Sequence, residues 1–213
     1  MSPCRVTDIF TPQRDTLSEH VKPDELLKSI EKVARGQGLP IIGPKRGLIL
    51  DEVVEEHAPS TILEVGTLVG YSAIRMGRHL KEGQKIICVE VREEMAKAAR
   101  FNIDKAGLSD RIEVLVGDAR EVLPSLGGSF DMVFLDAVKE DYIFYLKSVE
   151  RLLHSGSVIV ADNVKSHAEE VADYLEYVRN SGKYTSTYKE FPSNYRYGAG
   201  IAEGDAVELS VKL

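Results

Sequence analysis

Cysteine is nearly absent: Cys4 and Cys88 are the only two in 213 residues. Cys88 lies in the apolar run Ile86-Ile87-Cys88-Val89, where it reads as a small core residue. Two such cysteines do not suggest a disulfide framework, so the expected setting is a reducing, cytoplasmic compartment. No stretch approaches the ~18 apolar residues of a membrane span, and none is expected to enter a bilayer. The opening MSPCRVTDIF lacks the basic-then-apolar form of a signal peptide. Positive charge is in deficit, with a net charge of -7. That weighs against bulk attraction to phosphate backbones and against nucleic acid as a partner, though a local basic patch stays open. His20, His57, His79, His154 and His167 show no zinc spacing. There is no internal repeat, low-complexity tract or linker.

What is present suits one globular domain: 43% hydrophobic residues for a core and 29% charged residues for a solvated surface. Residues 1–22 show no period and read as an arm. Pro23-Asp24 opens a helix with Leu26, Leu27, Ile30, Val33 and Ala34 on one face, ended by Gly36, Gly38 and Pro40. A second helix is predicted from about Lys45 to His57. Thereafter strand-like runs at 61–66, 85–91, 111–117, 130–136 and 157–162 alternate with helical stretches at 70–81, 93–106, 119–126 and 140–153. Gly107 stops the second of these helices. A further helix is expected at 167–180, and closing strands at 184–191 and 206–213. The first five strands are short apolar runs, as expected where helices cover both faces. The pattern predicts a single domain: a doubly wound α/β core over 59–213 behind an N-terminal arm and helices, 1–58.

Such sheets bind ligands beyond the carboxyl ends of their strands. The first strand leaves through LEVGTLVGYS, residues 63–72, with Gly66 and Gly70 bracketing the turn. Leu68 stands where a dinucleotide fingerprint needs its middle glycine, which argues against a dehydrogenase. Glu64 precedes the turn. A glycine turn beside a carboxylate suits a cofactor with a cationic end and no pyrophosphate, such as S-adenosylmethionine; the alternative is a bare tight turn. Glu90 ends the second strand near the position where an acid bonds ribose hydroxyls. The third exit, Gly117-Asp118-Ala119, is placed for an adenine ring; Asp118 either accepts from its amino group or caps the next helix.

Asp136 ends the fourth strand, and Asp162-Asn163 the fifth. Neighbouring strands lie about 4.8 Å apart, so these exits gather three oxygen donors. Successive strand residues point to opposite faces, so Asp162 and Asn163 converge only if the chain turns there. Two carboxylates and an amide suit a hard ion, Mg²⁺ above all. Taken separately, Asp-Asn is a common turn pair and Asp136 a helix cap. Lys139, one short turn past Asp136, either pairs with Asp136 or Glu140 or faces the same cavity. A metal and a cationic donor together point to a substrate oxygen that becomes an anion. Ionising a phenol at pH 7 costs roughly 4 kcal/mol. A bound dication supplies that much, and repulsion from it favours the neutral, proton-accepting form of Lys139.

GPKRGLILD, LEVGTLVGYSAIRMGRHL, DMVFLDAVKEDY and VIVADNV together resemble the catechol O-methyltransferase family, and more broadly the Mg²⁺-dependent small-molecule O-methyltransferases. The resemblance runs from about residue 38 to the C-terminus. It implies the Rossmann-like, seven-stranded, mostly parallel methyltransferase sheet. It further implies that Ile42, Glu64, Gly66 and Ser72 surround the methionine part of the cofactor, that Glu90 holds the ribose, and that Gly117, Asp118 and Ala119 lie by the adenine. Asp136, Asp162 and Asn163 would ligate Mg²⁺, with Lys139 as general base and a small aromatic vicinal diol as acceptor. A caffeoyl thioester, a hydroxylated tRNA base, or a binding module without catalysis are the alternatives. A monomer or homodimer is expected. The chain departs from the family in two ways. It has no tryptophan, where the family closes its pocket with tryptophans; Gly38 or Leu39 and Val138 stand in their places. The family's late glutamate is matched by Asn194, or else by Glu190.

Overall fold

Pro23 starts the first helix with its φ already helical, and Asp24 and Glu25 answer the positive end of the helix. This helix, α1 (Pro23–Gln37), buries Leu26, Leu27, Ile30 and Ala34, and stops at Gly38, whose φ of 69° lets its N–H bond the Ala34 carbonyl. The structure, a computed structural model, describes residues 20–191 and 204–213. Cys4, Asn194 and nearly all of the expected arm lie outside those residues. The helix predicted over 45–57 is two helices, α2 (Gly43–Arg46) and α3 (Leu48–His57). They meet at Gly47, where a Cβ would come within 2.7 Å of the Gly43 carbonyl and 2.8 Å of Arg75 Nε.

The chain then runs β1 (Thr61–Val65), α4 (Tyr71–Gly77), β2 (Lys85–Glu90), α5 (Glu93–Lys105), β3 (Ile112–Val116), α6 (Ala119–Ser125), β4 (Phe130–Leu135), α7 (Tyr142–Val149), β5 (Leu153–Ala161), α8 (Ala172–Asn180), β6 (Tyr184–Phe191) and β7 (Asp205–Lys212). These seven strands form one sheet in the order β3-β2-β1-β4-β5-β7-β6. The first five are parallel, and β7 runs antiparallel to both β5 and β6. This is the doubly wound, mostly parallel α/β sheet expected.

The differences from expectation fall where hydrogen-bond pattern, not hydrophobic period, sets the boundary. The helix expected at 70–81 closes at Gly77, and the one at 167–180 begins only at Ala172. The stretch 140–153 is α7 between two short 3₁₀ turns, Lys139–Asp141 and Glu150–Leu152. Strand β5 begins at Leu153 instead of 157, because Leu153 pairs with Phe130 before a bulge moves the register to Met132–Val158.

Period-two alternation divides the core between the two faces. Ile62, Cys88, Phe134 and Val160 face the layer of α1, α3, α4 and α5. Leu63, Val89, Leu135 and Ala161 face α6, α7 and α8. Fully buried side chains such as Phe134 and Leu135 contribute roughly 1.5–3 kcal/mol each. The ladder continues past the strand ends: Asp136 N–H donates to Val65 O at 2.9 Å and Asp162 N–H to Leu135 O at 3.0 Å. Continued alternation therefore places Glu64, Glu90, Asp136 and Asp162 on the same side as Ile62, Cys88, Phe134 and Val160.

Gly66 lets the tips of β1 and β4 close on each other. Its φ is +91°, and a Cβ there would lie 2.5 Å from the Asp136 carbonyl oxygen and 3.0 Å from Ala137 Cα. Gly66→Ala therefore combines a disfavoured backbone with a backbone clash. It is expected to lower stability by about 2 kcal/mol or more. The urea midpoint reads this, and an unchanged midpoint would contradict the tight junction.

Candidate active site

The strand tips open onto one cavity of about 390 Å³, within the range of small-molecule sites. Of the residues expected at a site, Ile42, Gly66, Ser72, Glu90, Asp136 and the Gly117–Ala119 turn line it. Glu64, Lys139, Asp162 and Asn163 do not line the cavity directly. Asn194 lies outside the described residues, and Glu190 is exposed and paired with Lys165.

At the first exit, Leu68 takes the left-handed φ of 50° although it is not glycine. Its N–H donates to Glu90 Oε2 at 2.9 Å, which pins the turn to the tip of β2. Arg92 N–H donates to Glu90 Oε1 at 3.0 Å. Glu64 has no exposed surface. Thr67 Oγ1 donates to its Oε2 at 2.5 Å, and the Ser72 hydroxyl donates to Oε1. Glu64 thus reaches the cavity only through two hydroxyls that line it. Burial pushes its carboxyl up to about 7, opposed by the bonds from Ser72, Thr67 and Cys88 and aided by Asp136. Thr67 was not among the expected residues; its spacing, three after Glu64 across a turn, was the available signal. Cys88 is buried as expected, and burial with the neighbouring Glu64 raises its thiol well above the usual range.

At the third exit, Asp118 Oδ1 accepts from Arg120 N–H at 2.8 Å, so it caps α6 while lining the cavity. Asp141, held by Arg120, and Tyr145 complete this end. Val138, where a tryptophan is absent, lines the cavity and is 55% exposed, leaving that side of the mouth open.

At the fourth and fifth exits the carboxylates meet cations of the chain itself. Lys139 Nζ donates to Asp136 Oδ1 and to Tyr142 Oη, each at 2.8 Å. Tyr142 in turn donates to Leu135 O at 2.9 Å, and burial drives its phenol well above the ordinary range, so it stays neutral. Asp162 has no exposed surface, and among the described residues neither of its oxygens accepts a hydrogen bond. Arg46 Nη2 approaches Oδ2 at 3.0 Å as an ion pair. Burial pushes the Asp162 carboxyl up to about 7; Arg46 opposes this, Asp136 adds to it. Asn163 has φ 62°, so the chain does turn directly after Asp162. Its Nδ2 donates to Asp205 Oδ2 at 2.6 Å. Burial would raise Asp205, but bonds from Asn163, Ser166 and Ala206 and the charge of Arg46 hold it below the usual carboxylate range. Among the described residues no three His, Cys, Asp or Glu side chains stand together at metal-holding distance; the expected set takes its third donor from an amide. A buried carboxylate with two hydrogen-bond-free oxygens fits a hard cation. Arg46 and Asp205 carry no local signal in the sequence.

The Glu64 environment has a measurable consequence. Between its ordinary value of 4.5 and about 7 the folded chain keeps a proton that the unfolded chain has released. Stability therefore falls as pH rises through that window, by roughly 3 kcal/mol from this group. Glu64→Gln removes that slope, since the Ser72 and Thr67 hydroxyls can turn to suit an amide. Thermal unfolding from pH 4 to 8 is expected to show the variant gaining on the parent as pH rises; parallel curves would contradict the buried ionisation.

Known proteins match this architecture. A zebrafish (Danio rerio) protein named catechol O-methyltransferase B is 36% identical over 93% of this chain and 82% of its own length. The pig (Sus scrofa) catechol O-methyltransferase is 38% identical over 80% of this chain and 91% of its own. The crystal structure of the Bacillus cereus O-methyltransferase in complex with SAH superposes with a TM-score of 0.78 at 26% identity, covering 93% of this chain and 94% of that one. The sequence profile of the O-methyltransferase family matches residues 17–184, and with these relatives over most of its length the chain belongs to that family.

Proposed function

We propose that this chain transfers the methyl group of S-adenosylmethionine to one hydroxyl of a small aromatic vicinal diol, with Mg²⁺ bound at Asp136, Asp162 and Asn163 and Lys139 as general base. The observation that carries this is that four carboxylates gather at one set of strand tips: Glu90 and Asp136 line the cavity, Glu64 reaches it through Ser72 and Thr67, and Asp162 lies buried behind Asp136, with Gly66 and Asp136 in close contact. Support comes also from relatives named catechol O-methyltransferase, and from the solved neighbour from Streptomyces achromogenes, an O-methyltransferase in complex with SAM, 26% identical with a TM-score of 0.78.

Each residue's task follows from its chemistry. S-adenosylmethionine supplies the methyl group on a sulfonium. Glu90, lining the cavity with both oxygens already ordered by Leu68 and Arg92, accepts from ribose hydroxyls. Ser72 and Thr67, both bonded to Glu64 and lining the cavity, face the cationic methionine end, and a cation bound there favours the ionised form of Glu64. Mg²⁺, when bound, supplies the positive charge that favours a phenolate over a phenol. Lys139, fixed by Asp136 and Tyr142, takes the hydroxyl proton as general base. The cavity walls hold acceptor oxygen and methyl carbon in line, an alignment worth about 7–11 kcal/mol in well-oriented systems.

Asp136→Ala is expected to abolish Mg²⁺-dependent turnover of catechols while S-adenosylhomocysteine affinity by calorimetry stays within about threefold; equal loss of both would contradict separate ends. Lys139→Met is expected to reduce kcat most near neutral pH and least at high pH, where the acceptor ionises unaided. A uniform loss across the pH profile would remove Lys139 from the base role.

A further inference from the structure

Three carboxylates surround the fifth exit, and their hydrogen bonds set them apart. Asp162 accepts none on either oxygen, and Asp136 takes Lys139. Asp205 is saturated. Its Oδ2 accepts from Asn163 Nδ2 at 2.6 Å, Arg46 Nη1 at 2.7 Å and Ser166 Oγ at 2.9 Å. Its Oδ1 accepts from Ser166 N–H at 3.1 Å and Ala206 N–H at 2.8 Å. A carboxylate offers about four lone-pair directions, so Asp205 has none left for a metal. An ionised carboxylate also only accepts. The side of Asn163 that faces it is therefore the amide nitrogen, and the carbonyl oxygen Oδ1 is turned away. Among the described residues no hydrogen bond engages that Oδ1.

We propose that Asp205 is a positioning residue: it locks the Asn163 amide so that Oδ1 is presented to the cation, and the bonds from Asn163, Ser166 and Ala206 alone fill its lone-pair directions. This rests on the assignment of Asp136, Asp162 and Asn163 to Mg²⁺. The bond also ties the tip of β5 to the start of β7. Partners of this kind that orient a metal ligand typically change metal affinity by about 10–100-fold when lost.

The test is Mn²⁺ affinity by calorimetry, without methyl donor or acceptor, for Asp205→Ala, Asn163→Ala and the double variant. Each carries Arg46→Met, so that no freed guanidinium competes at Asp162. Asp205→Ala is expected to weaken Mn²⁺ about 10–100-fold and to add nothing once residue 163 is alanine. The same loss in both backgrounds would make Asp205 a direct ligand and overturn the proposal; no loss in either would overturn it as well. If the unaltered chain binds no Mn²⁺, the metal assignment itself fails, which is a separate result from a metal that binds without regard to Asp205. On the unaltered chain, nitrogen-detected exchange of side-chain amides reads the same bond. One Asn163 Nδ2 proton is expected to stay protected with and without Mg²⁺, and loss of that protection on adding Mg²⁺ would overturn the proposal even if a variant failed to fold.

Discussion

Asp162 carries a carboxylate with no exposed surface and, among the described residues, no hydrogen bond to either oxygen. Burying such a charge is costly unless positive charge answers it. The chain answers in part with Arg46, which spans Asp162 and Asp205. Burial would pull the Arg46 guanidinium down, but Asp162, Asp205 and Asp136 together hold it above its ordinary value. Among the described residues the acidic end of the sheet is built around this uneven balance: three carboxylates, Asp136, Asp162 and Asp205, meet two cations, Arg46 and Lys139.

The same logic recurs at the tip of β1. Glu64 is as buried as Asp162, and burial raises both carboxyls to about 7. Glu64 is shielded by hydroxyls, Asp162 by a guanidinium. Glu64 sits at the tip of β1, which the Gly66–Asp136 contact draws against β4, and Asp162 at the tip of β5 on the other side of β4. A sulfonium cofactor and a divalent ion are the two kinds of positive charge that such a pair would accept. Carboxylates buried this deeply cost the folded chain stability even where hydroxyls or a guanidinium meet them.

The cavity between them is shaped by absences as much as by contacts. With no tryptophan in the chain, Val138 lines an open side of the mouth. The Arg120–Asp141 pair borders the far end. Among the described residues, Tyr71 and Tyr145 are the aromatic side chains that line the cavity.

Much of this is legible in the amino-acid sequence. Alternating strand and helix periods predict the sheet, and the strand ends name Glu64, Glu90, Asp136, Asp162 and Asn163, because period two and a parallel sheet leave little choice of where a strand-end carboxylate goes. Breaks set by hydrogen bonding are not legible: the 3₁₀ turns around α7, the bulge in β5 and the junction at Gly47 leave no mark on hydrophobic period. Nor are the partners. Arg46 and Asp205 are 159 positions apart, and Asn163 and Asp205 are 42 apart, so nothing local joins them. The sequence by itself determined which residues stand at the strand tips, since that follows from backbone geometry. Only the tertiary structure decided which of those carboxylates are satisfied and which are left bare, because that depends on donors brought in from distant segments when β7 pairs with β5 and α2 folds over the sheet.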